Sequence, residues 1–245
     1  MVDIVANLTE SASLLAGLRC AFDAEEMVAA STGCQHRSVA WEERVAKASG
    51  KSLGAHLQRG PIFINVGANK GFNAAAFMNL WSSGEVTQRG WQRLIRRYAT
   101  EHELPFLKAF PCGECNRHCL FRDLKPTWGM RQWPRTAEAH MLELQQSNRR
   151  LLQFLVNASG MSRRMFVHEA GASNESSVTR IKTRAVGTED GSLSSSSAGA
   201  RIRPGRAMET VRLVTVDELI RGLGSPRVHH VLIDTEGWDA LVLEG

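Results

Sequence analysis

The chain has 245 residues, 43% of them hydrophobic and 22% charged, enough for one sizeable core or one domain with an added cap. Its formal charge of +5 is spread along the chain, with pairs such as Arg149-Arg150 and Arg163-Arg164 expected on solvated faces, so nucleic acid is not the favoured partner. No apolar run approaches the roughly 18 residues needed to span a bilayer, so no membrane span is expected.

The first residues lack a basic stretch and carry Asp3 and Glu10, which makes a poor signal peptide. The expected compartment is the reducing cytoplasm, with the five cysteines reduced or metal-bound rather than paired. Residues 1–58 read as a helical segment. Leu14, Leu15, Leu18 and Phe22 repeat at helical spacing, and Val39, Trp41 and Val45 give a weaker second pattern. Two or three helices are expected ahead of the first strand, either as a lid over a substrate or, the commoner use, as the cover of a sheet edge.

Ile62, Phe63, Ile64 and Val66 form an apolar run of the kind found in strands buried on both faces of a parallel sheet. The run breaks into Gly67-Ala68-Asn69-Lys70-Gly71, after which Phe72, Ala75, Ala76 and Leu80 fall on one helical face. Strand, glycine turn and helix together read as the first βα unit of a doubly wound domain, where ligands bind at the carboxyl end of the strand. The glycines are expected to let a small molecule touch backbone. A phosphate-binding P-loop would place Gly-Lys-Ser/Thr where Lys70-Gly71-Phe72 stands. A dinucleotide loop needs glycine at the positions held by Asn69 and Phe72. The spacing G-x-N-x-G fits best the turn that holds the methionine part of S-adenosylmethionine in class I methyltransferases. A tight turn with no ligand is the plain alternative.

Residues 84–135 read as a helical insertion rich in bulky apolar residues, among them Trp91, Tyr98, Phe106, Phe110 and Phe121. Within it Cys112, Cys115 and Cys119 carry a C-x-x-C core and resemble a zinc knuckle, with His118, Cys34 or His36 as candidate fourth ligand. Reduced, half-buried thiols are the equal alternative, and metal analysis separates the two. His140–Leu144 reads as a second strand, with Ser147–Asn157 as the helix behind it. Glu143 at that strand's end can accept the hydroxyl protons of a ribose, although an exposed glutamate near a helix start is the ordinary alternative. Met165–His168 reads as a third strand, the Gly171–Ser177 stretch as a turn, and Val178–Lys182 as a short edge strand. Residues 183–208, with Ser194–Ser197, read as a mobile surface loop. Thr215 and Glu218 form a capping box that opens a helix. Val228–Asp234 reads as a fourth strand, entered through His229 and His230, which are expected to be structural. The turn Asp234-Thr235-Glu236-Gly237 follows, then a helix from Trp238 to Leu243.

These segments resemble the FkbM-type methyltransferase family. The likeness rests on FINVGANKGF at Phe63–Phe72, HMLELQQSNRRLL at His140–Leu152, GASNESS at Gly171–Ser177, and the stretch from Val214 through HVLIDTEGWDALVLEG. The last of these is the most specific, and together they cover about a third of the chain in the family's order. The resemblance implies an α/β fold with a Rossmann-like class I sheet, four strands of it in the order 3-2-1-4 and incomplete at the C-terminus, spanning residues 59–245 after the helical segment. It implies an S-adenosylmethionine-dependent enzyme that methylates a hydroxyl of a small-molecule or glycan acceptor. Asn65, Gly67, Asn69, Gly71 and Glu143 would bind the cofactor. Asp234 and Glu236 would lie at the acceptor, as general base or as ligands of a divalent ion. The chain departs from the family pattern at Asn65, where aspartate is usual, at Leu232 for lysine, at Leu144 for proline, and in the insertion. Two other readings stand beside this one: a non-catalytic or incomplete α/β binding module, and a nicotinamide-binding oxidoreductase.

Overall fold

The apolar run after Pro61 forms strand β1 (Ile62–Val66), each of its five residues buried. A strand buried on both faces needs neighbours on both edges and helices over it. The computed structural model, which describes residues 36–52, 60–82, 85–108, 137–187, 208–235 and 237–245, supplies both. The chain divides into two compact units, Met1–Gln58 and Arg59–Gly245.

In the first unit the described element is helix α1 (His36–Ala48). Lys47 in its last turn suits the negative end of the helix dipole. Gly50, at φ 67°, then turns the chain out of the helix. The helix expected around Leu14–Phe22 lies outside the described residues.

In the second unit β1 is followed by α2 (Phe72–Trp81) and α3 (Gln88–Glu101), then β2 (Glu138–Leu142), α4 (Gln146–Ala158) and β3 (Met165–His168). Short strands β4 (Gly171–Ala172), β5 (Ser177–Lys182) and β6 (Met208–Val214) come next. Helix α5 (Val216–Gly222), strand β7 (His230–Ile233) and helix α6 (Asp239–Glu244) complete the described chain. The main sheet runs β3-β2-β1-β7 with every pairing parallel. This is the mixed α/β arrangement compatible with a Rossmann-like fold, in the strand order read from the sequence. The chain leaves β1 toward β2 and β3 and later returns to place β7 on the other side. The order therefore reverses between β1 and β7, and the carboxyl ends there flank a topological switch point.

The two faces of the sheet are covered differently. Phe63 stacks on Phe77 of α2 with ring centroids 5.0 Å apart, and Phe77 meets the His230 ring at 5.9 Å. Burying one such side chain is worth about 1.5–3 kcal/mol relative to leaving it exposed. α2 is buried almost all round rather than along the single stripe its spacing suggested, because α3 and the sheet enclose it: Ala74, Phe77 and Met78 are as buried as Ala75 and Ala76. On the opposite face Ile64, Val66 and Leu142 join Ala172, Val214 and Val242 in one apolar cluster, against which Leu219 and Ile220 of α5 pack.

Several elements differ from the sequence reading. β2 begins and ends two residues earlier than expected, so Glu143 stands just beyond the strand. Met208–Val214, read as loop up to residue 208 and otherwise unassigned, is a strand. It pairs antiparallel with β5 and parallel with β4 as a second, three-stranded sheet. Its signal was period-2 burial: Val211 and Leu213 point inward while Thr210 and Arg212 face out. Part of the insertion is helix α3, as its apolar content suggested, with Trp91, Ile95 and Tyr98 on the buried side. Thr215 caps α5 by accepting the Glu218 N–H at 2.9 Å. The Glu218 side chain does not close the expected capping box; it bonds instead to Ser176 and Arg212.

Candidate functional site

The loop after β1 holds three left-handed residues in alternation: Gly67 at φ 77°, Asn69 at φ 47° and Gly71 at φ 72°. Asparagine is among the few non-glycine residues that tolerate this region. The loop is tied to both neighbouring strands. Gly67 and Ala68 donate their N–H groups to the Leu142 carbonyl at 3.0 and 3.2 Å, and Asp234 donates its own to the Val66 carbonyl at 3.0 Å. Glu143 completes the join: its Oε2 accepts the Asn69 N–H at 2.7 Å and its Oε1 the Gln145 N–H at 2.9 Å. Gly67, Asn69, Gly71, Glu143 and Asp234 thus share the carboxyl rim of the parallel sheet.

Each glycine makes room for another part of the chain. A Cβ on Gly67 would lie 1.9 Å from the Asp234 carbonyl oxygen, so this glycine lets the β1 and β7 loops touch at the switch point. A Cβ on Gly71 would meet Leu152 Cδ2 at 2.7 Å and Trp91 Cζ2 at 3.1 Å. That glycine packs α2 against its neighbours and does not open backbone to solvent.

Asn65, expected at the cofactor, is fully buried within the sheet. It pairs in register with Met141 and Leu232, on the face that carries Phe63 and α2. Among the described residues neither its side-chain oxygen nor its nitrogen has a hydrogen-bond partner. Glu143 is buried as well, at 5% exposure, and is not the exposed helix-start glutamate of the ordinary reading. Burial pushes its pKa up. The N–H groups of Gln145 and Asn69, the Asn148 side chain and the Arg149 charge pull it back only in part. A carboxylate offers about four acceptor positions, so these donors leave room for a further hydroxyl.

Asp234 is exposed at the rim. The turn beyond it is shaped by a residue the sequence reading did not single out: Asp239 Oδ1 accepts both the Thr235 N–H at 2.8 Å and its hydroxyl at 2.7 Å. A T-x-x-x-D spacing at a helix start was the available signal. Glu236 lies outside the described residues, as do Cys112, Cys115, Cys119, His118 and Cys34; His36 begins α1. Among the described residues no group of three His, Cys, Asp or Glu could hold a metal ion. His229 and His230 serve the fold. Nδ1 of His229 accepts the Ile62 N–H at 3.1 Å, and the His230 ring packs on Phe77 and Trp81.

Comparison with protein-family models, with curated proteins and with solved structures finds no match for this chain. No described helix is long and apolar enough to cross a membrane.

Proposed function

We propose that the second unit binds S-adenosylmethionine at the carboxyl rim of its parallel sheet and transfers the methyl group to a hydroxyl of a small molecule or glycan. The observation that carries this reading is the meeting of Glu143 and Asn69 across the ends of β2 and β1. A ribose-binding carboxylate and the loop for the amino-acid end of the cofactor must be adjacent, a requirement the contact between Glu143 and Asn69 meets. The G-x-N-x-G spacing and the order β3-β2-β1-β7 support the same reading.

Glu143 would hold a ribose hydroxyl with its spare lone pair, and the Gly67–Gly71 loop the amino-acid end. When bound, the cofactor supplies an electrophilic methyl group, which bonds to the acceptor oxygen as the sulfur–methyl bond breaks and its electron pair stays on sulfur. Asp234 and Glu236 would take the hydroxyl proton, or hold a divalent ion against the acceptor. A carboxylate in the first role works best with its pKa raised toward neutrality. The larger contribution comes from fixing both reactants at one rim, an alignment worth up to about 7–11 kcal/mol.

Photocrosslinking of radiolabelled S-adenosylmethionine tests the reading. Labelling of Arg59–Gly245 that excess S-adenosylhomocysteine prevents and NAD does not is the expected result; labelling abolished by NAD alone overturns it. One observation favours a second reading, an α/β module without catalysis. Both Glu143 oxygens already accept backbone donors, which is what a purely structural clamp requires. In that case no labelling occurs.

A further inference from the structure

Helix α3 puts its two sides to different uses. Trp91, Ile95 and Tyr98 are buried, and the Trp91 indole N–H reaches the Lys70 carbonyl at 2.9 Å. Arg89, Arg93, Arg96 and Arg97 lie on the exposed side. Positions i, i+4 and i+7 align on a helix, so Arg89, Arg93 and Arg96 form one stripe, opposite the buried residues. Arg97 is engaged within the fold: it pairs with Glu101 at 2.7 Å, and its guanidinium lies 5.3 Å from the Phe154 ring centroid. Among the described residues no carboxylate pairs with the other three side chains. Elsewhere Arg149, Arg164 and Arg212 sit against Glu209, Glu85 and Glu218. Positive charge that reads as scattered along the sequence is gathered here on one helix face.

The helix gains no stability from this stripe. Arg89 with Arg93, and Arg93 with Arg97, are like charges four residues apart, and each such pair weakens a helix slightly. The ends are reversed as well. A carboxylate suits the N-terminus of a helix and a cation its C-terminus. α3 opens with Arg89 and no acidic residue in its first turn, has no basic residue in its last, and ends in Glu101. A partner carrying regularly spaced negative charge would relieve the repulsion along the stripe.

We infer that the arginine stripe of α3 docks the phosphate backbone of a nucleic acid. Arg89 to Arg96 spans about 10 Å of helix axis, enough to face about three phosphates of one strand. Every cation on this helix is arginine, whose planar fork matches two phosphate oxygens at once. An anionic membrane attracts the same charges, but a helix that binds lipid buries its apolar face in the bilayer surface. In α3 that face is taken by the protein core. The surface does not depend on the methyl-donor reading.

Fluorescence anisotropy with labelled oligouridylate and oligothymidylate, each about 20 nucleotides long, tests it. Both should bind, because they share the phosphate backbone. Three arginine–phosphate contacts, at roughly 0.7 per phosphate on a single strand, predict a log–log salt slope of at least about two between about 50 and 200 mM salt. The R89Q/R93Q/R96Q variant should lose about tenfold or more in affinity at the lower salt, and about two from the slope. Its thermal midpoint should match or exceed the wild-type value, since like charges have been removed. The R163Q/R180Q/K182Q variant removes as much exposed charge from other parts of the surface and should bind within about threefold of the wild type. Equal losses in the two variants would reduce the effect to net charge and overturn the inference. A wild type that binds neither oligonucleotide overturns it too, and binding to phosphatidylserine vesicles in that case assigns the stripe to a membrane surface.

Discussion

The Glu143 carboxylate accepts the Asn69 N–H at 2.7 Å and so locks the left-handed turn after β1 to the end of β2. Its other oxygen accepts the Gln145 N–H at 2.9 Å, at the start of α4. Each end of the carboxylate therefore faces a donor. In E143Q one end becomes an NH2 group, and one of the two backbone donors then meets another donor. The expected cost is about 1–3 kcal/mol of unfolding free energy, the penalty for a buried group left unsatisfied. Urea denaturation measures it. An unchanged midpoint would show that the two bonds are not made in solution.

Gly67 and Gly160 share a left-handed backbone, with φ of 77° and 73°, yet they predict different outcomes on substitution. Among the described residues nothing lies within 4 Å of a Cβ on Gly160, whereas one on Gly67 would sit 1.9 Å from the Asp234 carbonyl oxygen. G160A should cost only the backbone term, about 1–2 kcal/mol. G67A must also part the β1 and β7 loops, and its loss should exceed that of G160A by at least about 2 kcal/mol in the same titration. Equal losses would mean that the two loops do not touch.

Acid should weaken the fold below neutrality. His140 Nδ1 and His168 Nε2 lie 3.0 Å apart, and burial holds both pKa values down at about 4, with the neighbouring His140 charge adding to the effect on His168. His230 is likewise held at about 4 by burial. The unfolded chain takes up protons at these positions near 6.5, while the folded chain resists until about 4. Their stabilising contribution is therefore complete above about 6.5 and is lost as the pH falls toward 4. Glu143 opposes this in part: its raised pKa lets the folded state take up a proton before the unfolded state does. Thermal midpoints across this range should fall with acidification, and H168N should show a shallower fall than the wild type. Parallel profiles would remove His168 from the account.

The Trp91 indole is 1% exposed and its N–H reaches the Lys70 carbonyl at 2.9 Å, so α3 helps to hold the glycine loop. W91F keeps an aromatic ring in place and leaves that carbonyl without its donor. A loss of about 1–3 kcal/mol is expected, together with faster hydrogen exchange at Asn69 and Lys70. Exchange no faster than in the wild type would show that the loop holds its shape without α3.

The main sheet was readable because its strands are apolar runs bounded by glycine or acidic turns. Ile62–Val66 and the stretch into Asp234 announce themselves in this way, and the order of the four parallel strands followed. β6 was missed because it exposes Thr210 and Arg212 on a half-solvated antiparallel ribbon, where polar residues obscure a period of two. The packing roles of Gly67 and Gly71 were hidden for a related reason. Sequence shows that a side chain is missing, and only the neighbours show whether a ligand or another part of the chain fills its place. Here Asp234 and Leu152 do.

Isothermal titration calorimetry of the purified chain with S-adenosylhomocysteine and, separately, with NAD tests the methyl-donor assignment most directly. Saturable heat with one equivalent of S-adenosylhomocysteine and none with NAD is the predicted result. Heat with NAD alone would contradict it.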